Sequence, residues 1–367
     1  MRILHVVDNI SMRSGVMSFL MNYYRNIDTE KIQFDFLYYE ERAKDYSEEI
    51  IKLGGRIYKT PKPTSFFALQ KSLNMICEKY NSQYSSIHIH NPFLSVFYYS
   101  FKKKINANNF IVHAHSTKFS DHFLGGIRNR LFNLFNYFLP DYYFACSNDA
   151  GYAMFGRKFK KRGKVINNAI DLEKFHFDEE KRQFIRKKLK IDKETLVIGH
   201  VGNFTEPKNH EFILEIFKEI YIKEKNSVLI LIGTGEKKKY IEEKCVALGL
   251  EHKVVFLGVQ GKVYEILPSF DRFLFPSLYE GLGIALIEAQ AVGIPCIYSR
   301  NVPRETNIMK TNNRILSLKS SATKWAEAVL DERLGSYYNS KKQITEAGFN
   351  IKIEAKKLED TYEGLGR

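Results

Sequence analysis

Cysteine is scarce, with four in 367 residues. Cys77, Cys146, Cys245 and Cys296 are widely spaced among apolar neighbours and form no C-x-x-C pair. That fits reduced core thiols better than a disulfide framework or a thiolate zinc site. No apolar run approaches the roughly 20 residues that span a bilayer. The N-terminal stretch MRILHVVDNI enters a strand pattern at once instead of a signal peptide, so a cytoplasmic protein is expected. No D-x-D stands on a clear loop, and no tightly bound metal or cofactor is expected. The loop after the first strand reads DNISMRSGV where a nicotinamide-dependent enzyme wants G-x-G-x-x-G. A nucleic-acid-binding protein is the other alternative, but no recognisable binding module is present and the aromatic residues follow core periodicity. Short internal repeats and low-complexity segments are also absent.

Acidic residues are missing from one region in particular. The net charge is +14. Residues 1–170 hold 24 basic and 13 acidic side chains, against 32 and 29 in residues 171–367. Within the first half, residues 51–170 hold 18 basic and 4 acidic, including FKKK at 101–104 and RKFKKRGK at 157–164. Either run alone reads as a solvated face; the summed asymmetry favours an anionic partner, a polyanion or a membrane surface.

What is present is alternation. Strand-like runs at 2–7, 33–39, 85–90, 110–115, 142–146 and 164–167 are followed by a second series at 196–201, 227–233, 253–258, 271–276, 295–299 and 314–318. Between them lie amphipathic segments such as 211–225 and 238–250, whose apolar residues recur at three and four. Strand and helix alternating through two series predict an α/β protein of two doubly wound parallel sheets. The join is expected near Asn168, where Asn and Asp punctuate the pattern.

In such sheets ligands bind where strand carboxyl ends meet helix N-termini. After 196–201 comes GNFTEPKNH, with Gly202 allowing close backbone approach, Lys208 as a mobile cation and a helix from about Asn209. After the next strand, Gly233 and Gly235 in GTGE lead into another helix. Each loop alone is weak, because glycine after a strand usually serves the turn. The third loop is more informative. In LYEGLGIALIEAQAVGIP (278–295), Leu282 and Gly283 open a helix that is apolar nearly all round, with Glu288 inside it. A buried carboxylate needs donors, either a structural Lys or Arg or the hydroxyls of a bound sugar or ribose. Glu280 precedes the helix among glycines that expose backbone N–H groups. Carboxylate acceptors beside backbone donors suit a nucleotide sugar.

Glu280 and Glu288, spaced as E-x7-E within FPSLYEGLGIALIEAQAVGIP, resemble the signature of retaining glycosyltransferase family 4, which has the GT-B fold. MNYYRNID with KIQFDFLYY, IHIHNP, VHAHS, YFACSNDAGYAMFG, VINNAID, IGHVGNFTEPKNHEFILEIFKEI, LIGTGE and FLGVQ follow in the family's order over almost the full chain. They are most similar to the bacterial capsule and exopolysaccharide branch. The resemblance implies two Rossmann-like domains facing a cleft: an acceptor-binding one over 1–168 and a nucleotide-sugar-binding one over 169–348. A terminal helix over 349–367 would return to the first domain. The implied reaction moves a hexosyl group from a nucleoside diphosphate sugar, UDP by family frequency, to a hydroxyl of a lipid-linked oligosaccharide, with retention and without metal, at the inner face of the membrane.

Residue by residue, the resemblance places Glu288 on the ribose, Glu280 on the donor sugar, and the backbone of Gly281, Leu282 and Gly283 along sugar and diphosphate. Lys208 matches the phosphate-binding lysine, Gly15 the glycine-rich first turn, and Gly258 and Val259 the backbone that reads the base. His115 matches the histidine beside the reacting sugar; from the sequence alone it reads as an ordinary polar core group of a strand. Two departures stand out. Gly202-Asn203 replaces the usual Gly-Arg, which removes a cation, and Ser14-Gly15 replaces a pair of glycines. The aromatic segment 123–140, with the basic charge around it, fits docking on an anionic leaflet. A buried core helix with two surface arginines explains that segment nearly as well.

Overall fold

The computed structural model describes residues 1–12, 14–80, 83–120, 123–335 and 337–365. Contacts divide the chain into two compact units, residues 1–169 with 348–367, and residues 170–347.

In the first unit seven parallel strands are β1 (Arg2–Val6), β2 (Gln33–Tyr38), β3 (Ile57–Lys59), β4 (Ser86–Ile89), β5 (Asn109–Ala114), β6 (Tyr142–Ala145) and β7 (Gly163–Val165), in the order 3-2-1-4-5-6-7. β3 is absent from the sequence expectation. It is a three-residue edge strand, half-exposed to exposed, too short to show a period of its own. The helix Ile351–Leu365 packs on this unit through Ile351, Ala355, Leu358 and Tyr362. Residues 366 and 367, at the end of the expected terminal segment, lie outside the described residues.

In the second unit six parallel strands are β8 (Leu196–Val201), β9 (Ser227–Ile232), β10 (Val254–Gly258), β11 (Arg272–Phe275), β12 (Cys296–Ser299) and β13 (Asn313–Leu316), in the order 10-9-8-11-12-13. Central strands such as β9 are buried at every residue and read as continuous apolar runs, as sheets covered on both faces require. Asp271, at the start of β11, receives Arg182 at 2.6 Å, Arg186 at 2.5 Å and the Val197 N–H at 2.7 Å. This cluster pins the helix Glu179–Lys188 to the N-terminal ends of the central strands β8 and β11.

Both sheets reverse strand order beside their first strand, between β1 and β4 and between β8 and β11. Loops leaving the two strands at such a point diverge to opposite faces and open a crevice. In the second unit those loops are 202–209 and 276–283. The four cysteines are free thiols, three of them buried. Among the described residues no helix is long and apolar enough to cross a membrane.

Candidate nucleotide-sugar site

The loop after β8 is held by backbone bonds to its neighbours. The Gly202 N–H reaches Ile232 O at 2.9 Å, and the Gly233 N–H reaches Gly258 O at 2.9 Å. Gly233 has φ +145°, and a Cβ there would lie 2.0 Å from Gly202 O. Gly235 is equally tight, since its Cβ would lie 2.4 Å from Phe204 O. These two glycines therefore fuse the loops after β8 and β9 into one ledge, with Gly258 on its far side. Nothing stands within 4 Å of a Cβ at Gly258, and the Val259 side chain beyond it is exposed. Asn203 is exposed as well, on the same ledge. Lys237, the basic side chain of the following loop, is committed to Glu206 and Glu211.

Lys208 and Glu280 meet across the switch point. Lys208 Nζ lies 2.7 Å from Glu280 Oε1 and 4.8 Å from the centroid of Phe275, and both charged side chains are mostly buried. The Leu278 N–H donates to Pro207 O at 2.8 Å, and Asn209 Nδ2 to Pro276 O at 3.1 Å, which locks the two loops together. Both loops run into helices. His210–Lys223 follows Asn209, which is left-handed at φ 55°, and Ile284–Val292 follows Gly283 at φ 85°. Neither helix start receives a side-chain cap. Two uncapped helix N-termini and one lysine thus lie along adjoining loops, an arrangement that attracts anions. Gly281 and Leu282 form the turn between Glu280 and Gly283, with Leu282 buried.

Glu288 stands one turn beyond Ile284, so the helix rise places it about 6 Å along the axis. Leu286, Ile287, Ala289, Gln290 and Val292 around it are buried. The Glu288 side chain is half-buried, yet the protein mass around it is that of the interior, and desolvation pushes its carboxyl up to about 8. No described residue hydrogen-bonds or pairs with it, so the structural cation left open by the sequence is not there. Its nearest charged companion in sequence, Glu280, is already engaged by Lys208.

Sequence reasoning missed His200 and His210. The His200 ring, on β8, bonds Leu274 O at 2.8 Å through Nδ1 and leaves Nε2 buried without a partner among the described residues. The His210 ring stacks on Phe204 at 4.0 Å, and neither of its nitrogens has a partner among the described residues. Burial, assisted for His210 by the Lys208 charge, lowers both pKa values, His210 to about 3, so both rings are neutral behind the lysine loop. The one visible signal was a histidine inside the apolar run LVIGHV.

The other two candidates lie in the first unit. Gly15 begins the helix Gly15–Tyr24, and Ser14 caps it by accepting the Met17 N–H at 3.3 Å. Ser14 thus has a role of its own, and a Cβ at Gly15 would meet nothing within 4 Å. Arg13, in the same turn, lies outside the described residues. His115, one residue past β5, bonds His90 and meets Phe19 edge-on at 5.3 Å. Burial lowers its pKa to about 3, which makes it a neutral hydrogen-bonding ring and not a proton donor of the imidazolium kind.

The segment 123–138 turns its polar side inward. Asn129, Asn133 and Asn136 are buried and donate to Phe119 O at 2.6 Å, Met154 O at 2.6 Å and Pro92 O at 2.9 Å. Phe123, Leu124, Leu131, Leu134 and Phe138 are 83%, 78%, 60%, 55% and 83% exposed. A buried core helix is therefore excluded for this segment.

Two parallel sheets, each with a switch point beside its first strand, define a protein of GT-B architecture. The comparisons agree. The family model for glycosyl transferases group 1 matches residues 181–349. The putative glycosyltransferase EpsF of Bacillus subtilis is 33% identical over 337 residues, 89% of this chain and 86% of the relative. The UDP-Gal:alpha-D-GlcNAc-diphosphoundecaprenol alpha-1,3-galactosyltransferase of Escherichia coli is 30% identical over 213 residues, 54% and 53% of the two chains. Anabaena HepE, crystallised with UDP and glucose, superposes with a TM-score of 0.80 at 14% identity over 99% of this chain and all of its own. The chain belongs to the group 1 glycosyltransferases, and it is a transferase.

The Glu288 shift has a measurable sign. Its folded pKa lies above the ordinary 4.5, so its contribution to stability is whole below about pH 4.5 and is lost as pH rises towards 8. Glu288→Gln cannot ionise. Thermal unfolding of parent and variant without ligand is expected to show the variant gaining on the parent between pH 5 and 8; a constant difference would place Glu288 in water.

Proposed function

We propose that the protein transfers a hexosyl group from a UDP-sugar to a hydroxyl of a lipid-linked oligosaccharide during synthesis of a bacterial capsule, exopolysaccharide or related surface glycan, with the anomeric configuration retained. The observation that carries the donor assignment is the unpartnered Glu288 carboxylate one turn above an uncapped helix start. A ribose offers two hydroxyl donors, and a diphosphate offers acceptors for the exposed N–H groups and for Lys208. Hydroxyls donating to Glu288 favour its ionised form and offset the desolvation that raises its pKa. HepE binds UDP and glucose, and the E. coli relative takes UDP-Gal and a diphosphoundecaprenol-linked acceptor; both support this choice of donor and acceptor.

In this reading Glu280 turns from Lys208 towards the sugar hydroxyls, and Lys208 moves to the diphosphate, whose charge grows as the glycosidic bond breaks. Gly202, Asn203, Gly233 and Gly235 line the phosphates, Gly258 and Val259 the base, and Gly281, Leu282 and Gly283 the sugar and diphosphate. Stabilisation of the departing diphosphate rests on Lys208 and on the two helix N-termini, which are fixed before reaction. Gly15 and neutral His115, in the first unit, serve the transferred sugar through hydrogen bonds.

The exposed apolar row at 123–138, with Arg128 and Arg130 on the same helix, supports contact of this unit with an anionic lipid surface. The short helix Arg157–Arg162 adds charges that pair with no acidic side chain among the described residues.

Two measurements test these readings. Glu288→Gln keeps the shape and loses charge-assisted bonds worth roughly 1.5–3 kcal/mol each, so calorimetry is expected to show UDP binding weakened at least tenfold with the fold intact. Equal affinity would remove Glu288 from the site. For the membrane, vesicles with anionic lipid should bind the parent at low salt and release it as salt rises. Changing Lys158, Lys160, Lys161 and Arg162 to Gln, or Phe123, Leu124 and Phe138 to Ser, should each lower that binding. Parental binding by both variants would make these faces ordinary solvated surface.

A further inference from the structure

Five histidines share one face of the first sheet: His5 on β1, His88 and His90 at β4, His113 and His115 at β5. Three of them form a continuous chain. His5 Nδ1 lies 2.9 Å from His90 Nε2, and His90 Nδ1 lies 2.9 Å from His115 Nε2. The remaining nitrogen at the inner end, His5 Nε2, is buried and has no partner among the described residues.

A neutral imidazole carries one N–H and one lone pair. His90 therefore donates through one nitrogen and accepts through the other, and the two bonds must run in the same direction. Running outward, His5 donates to His90 and His90 donates to His115, which leaves the His115 proton on Nδ1. Running inward, His115 donates from Nε2 and the chain ends in an N–H on His5 Nε2. That inward ending buries a donor with no acceptor, whereas the outward one buries a bare lone pair. Orphaned buried N–H groups are the rarer of the two.

We infer that His5 and His90 are positioning residues that set the tautomer of His115, holding its proton on Nδ1 and its Nε2 as an acceptor. His115 then meets its ligand as a donor at Nδ1, in a ring whose orientation is fixed by His90 behind it and Phe19 beside it. Burial keeps all three rings neutral, so the chain keeps one setting across the physiological range. The remaining two rings make a separate line, from Tyr362 Oη to His88 Nδ1 at 2.7 Å and from His88 Nε2 to His113 Nδ1 at 3.3 Å. It ends at His113 Nε2, buried and without a partner among the described residues, and no hydrogen bond among them joins it to His115. Nitrogens of His90, His113 and His115 are also close enough to hold a transition metal ion. The facing His90 and His115 nitrogens, however, already stand at hydrogen-bond separation.

The consequence for turnover rests on the proposed role of His115, but the tautomer does not. Nitrogen-15 correlation spectra of the full chain with labelled histidine, assigned through single His variants, read the proton position without substrate. The parent is expected to show His115 protonated on Nδ1, and His5→Phe and His90→Phe to release it towards Nε2. A parent His115 protonated on Nε2, an Nδ1 proton that survives both changes, or one zinc retained per chain and lost in His90→Phe would each overturn the inference. In kinetics, His90→Phe is expected to lower kcat by about 10- to 100-fold with UDP affinity unchanged. A switched tautomer with parental kcat would support the relay and count against the proposed place of His115 beside the sugar.

Discussion

A carboxylate in an apolar setting must find donors or give up its charge, and desolvation pushes the Glu288 carboxyl up to about 8. The helix that carries it is apolar on nearly every face because it packs on β11 and β12 on one side and on the helix Lys341–Glu346 on another, so nothing on the helix itself answers the charge. The surrounding loops are built around that constraint. Gly283 turns the chain left-handed to start the helix without a side-chain cap, and Lys208 is held at Glu280. The site stores unsatisfied bonding capacity of both signs, acceptor at Glu288 and donors at the two helix starts.

Much of this was legible in the sequence because parallel sheets covered on both faces leave a plain trace. Twelve of the thirteen strands coincide with apolar runs, and only the short edge strand β3 escapes. The loop after β9, beside the switch point, was legible for a related reason: Gly233 and Gly235 are positions where backbone meets backbone, and no other residue fits. Contacts between distant residues were not legible. Lys208 and Glu280 lie 72 residues apart, and their pairing depends on β8 and β11 being neighbours in the sheet. Ser14 read as a departure from a pair of glycines and proved to be a helix cap.

The first unit shows where pattern reading runs out. The alternating histidines of IHIHNP and VHAHS look like isolated polar core groups, and their chain depends on strand register together with His5, 85 residues from His90. The segment 123–138 left two readings open for the opposite reason. Its apolar residues invite burial, but three asparagines outbid them for the interior by satisfying carbonyls at Phe119, Met154 and Pro92. Helical periodicity shows that such a segment has two faces; the hydrogen bonds decide which one turns inward.

The central claim is that a nucleoside diphosphate fills the ledge of the second unit and engages Glu288. Hydrogen–deuterium exchange with and without UDP tests it residue by residue. Exchange should slow at 202–209, 233–237, 258–259 and 280–288, where the free N–H groups and the helix starts lie. Slowing confined to residues 1–169, or no change in those four segments at saturating UDP, would contradict it.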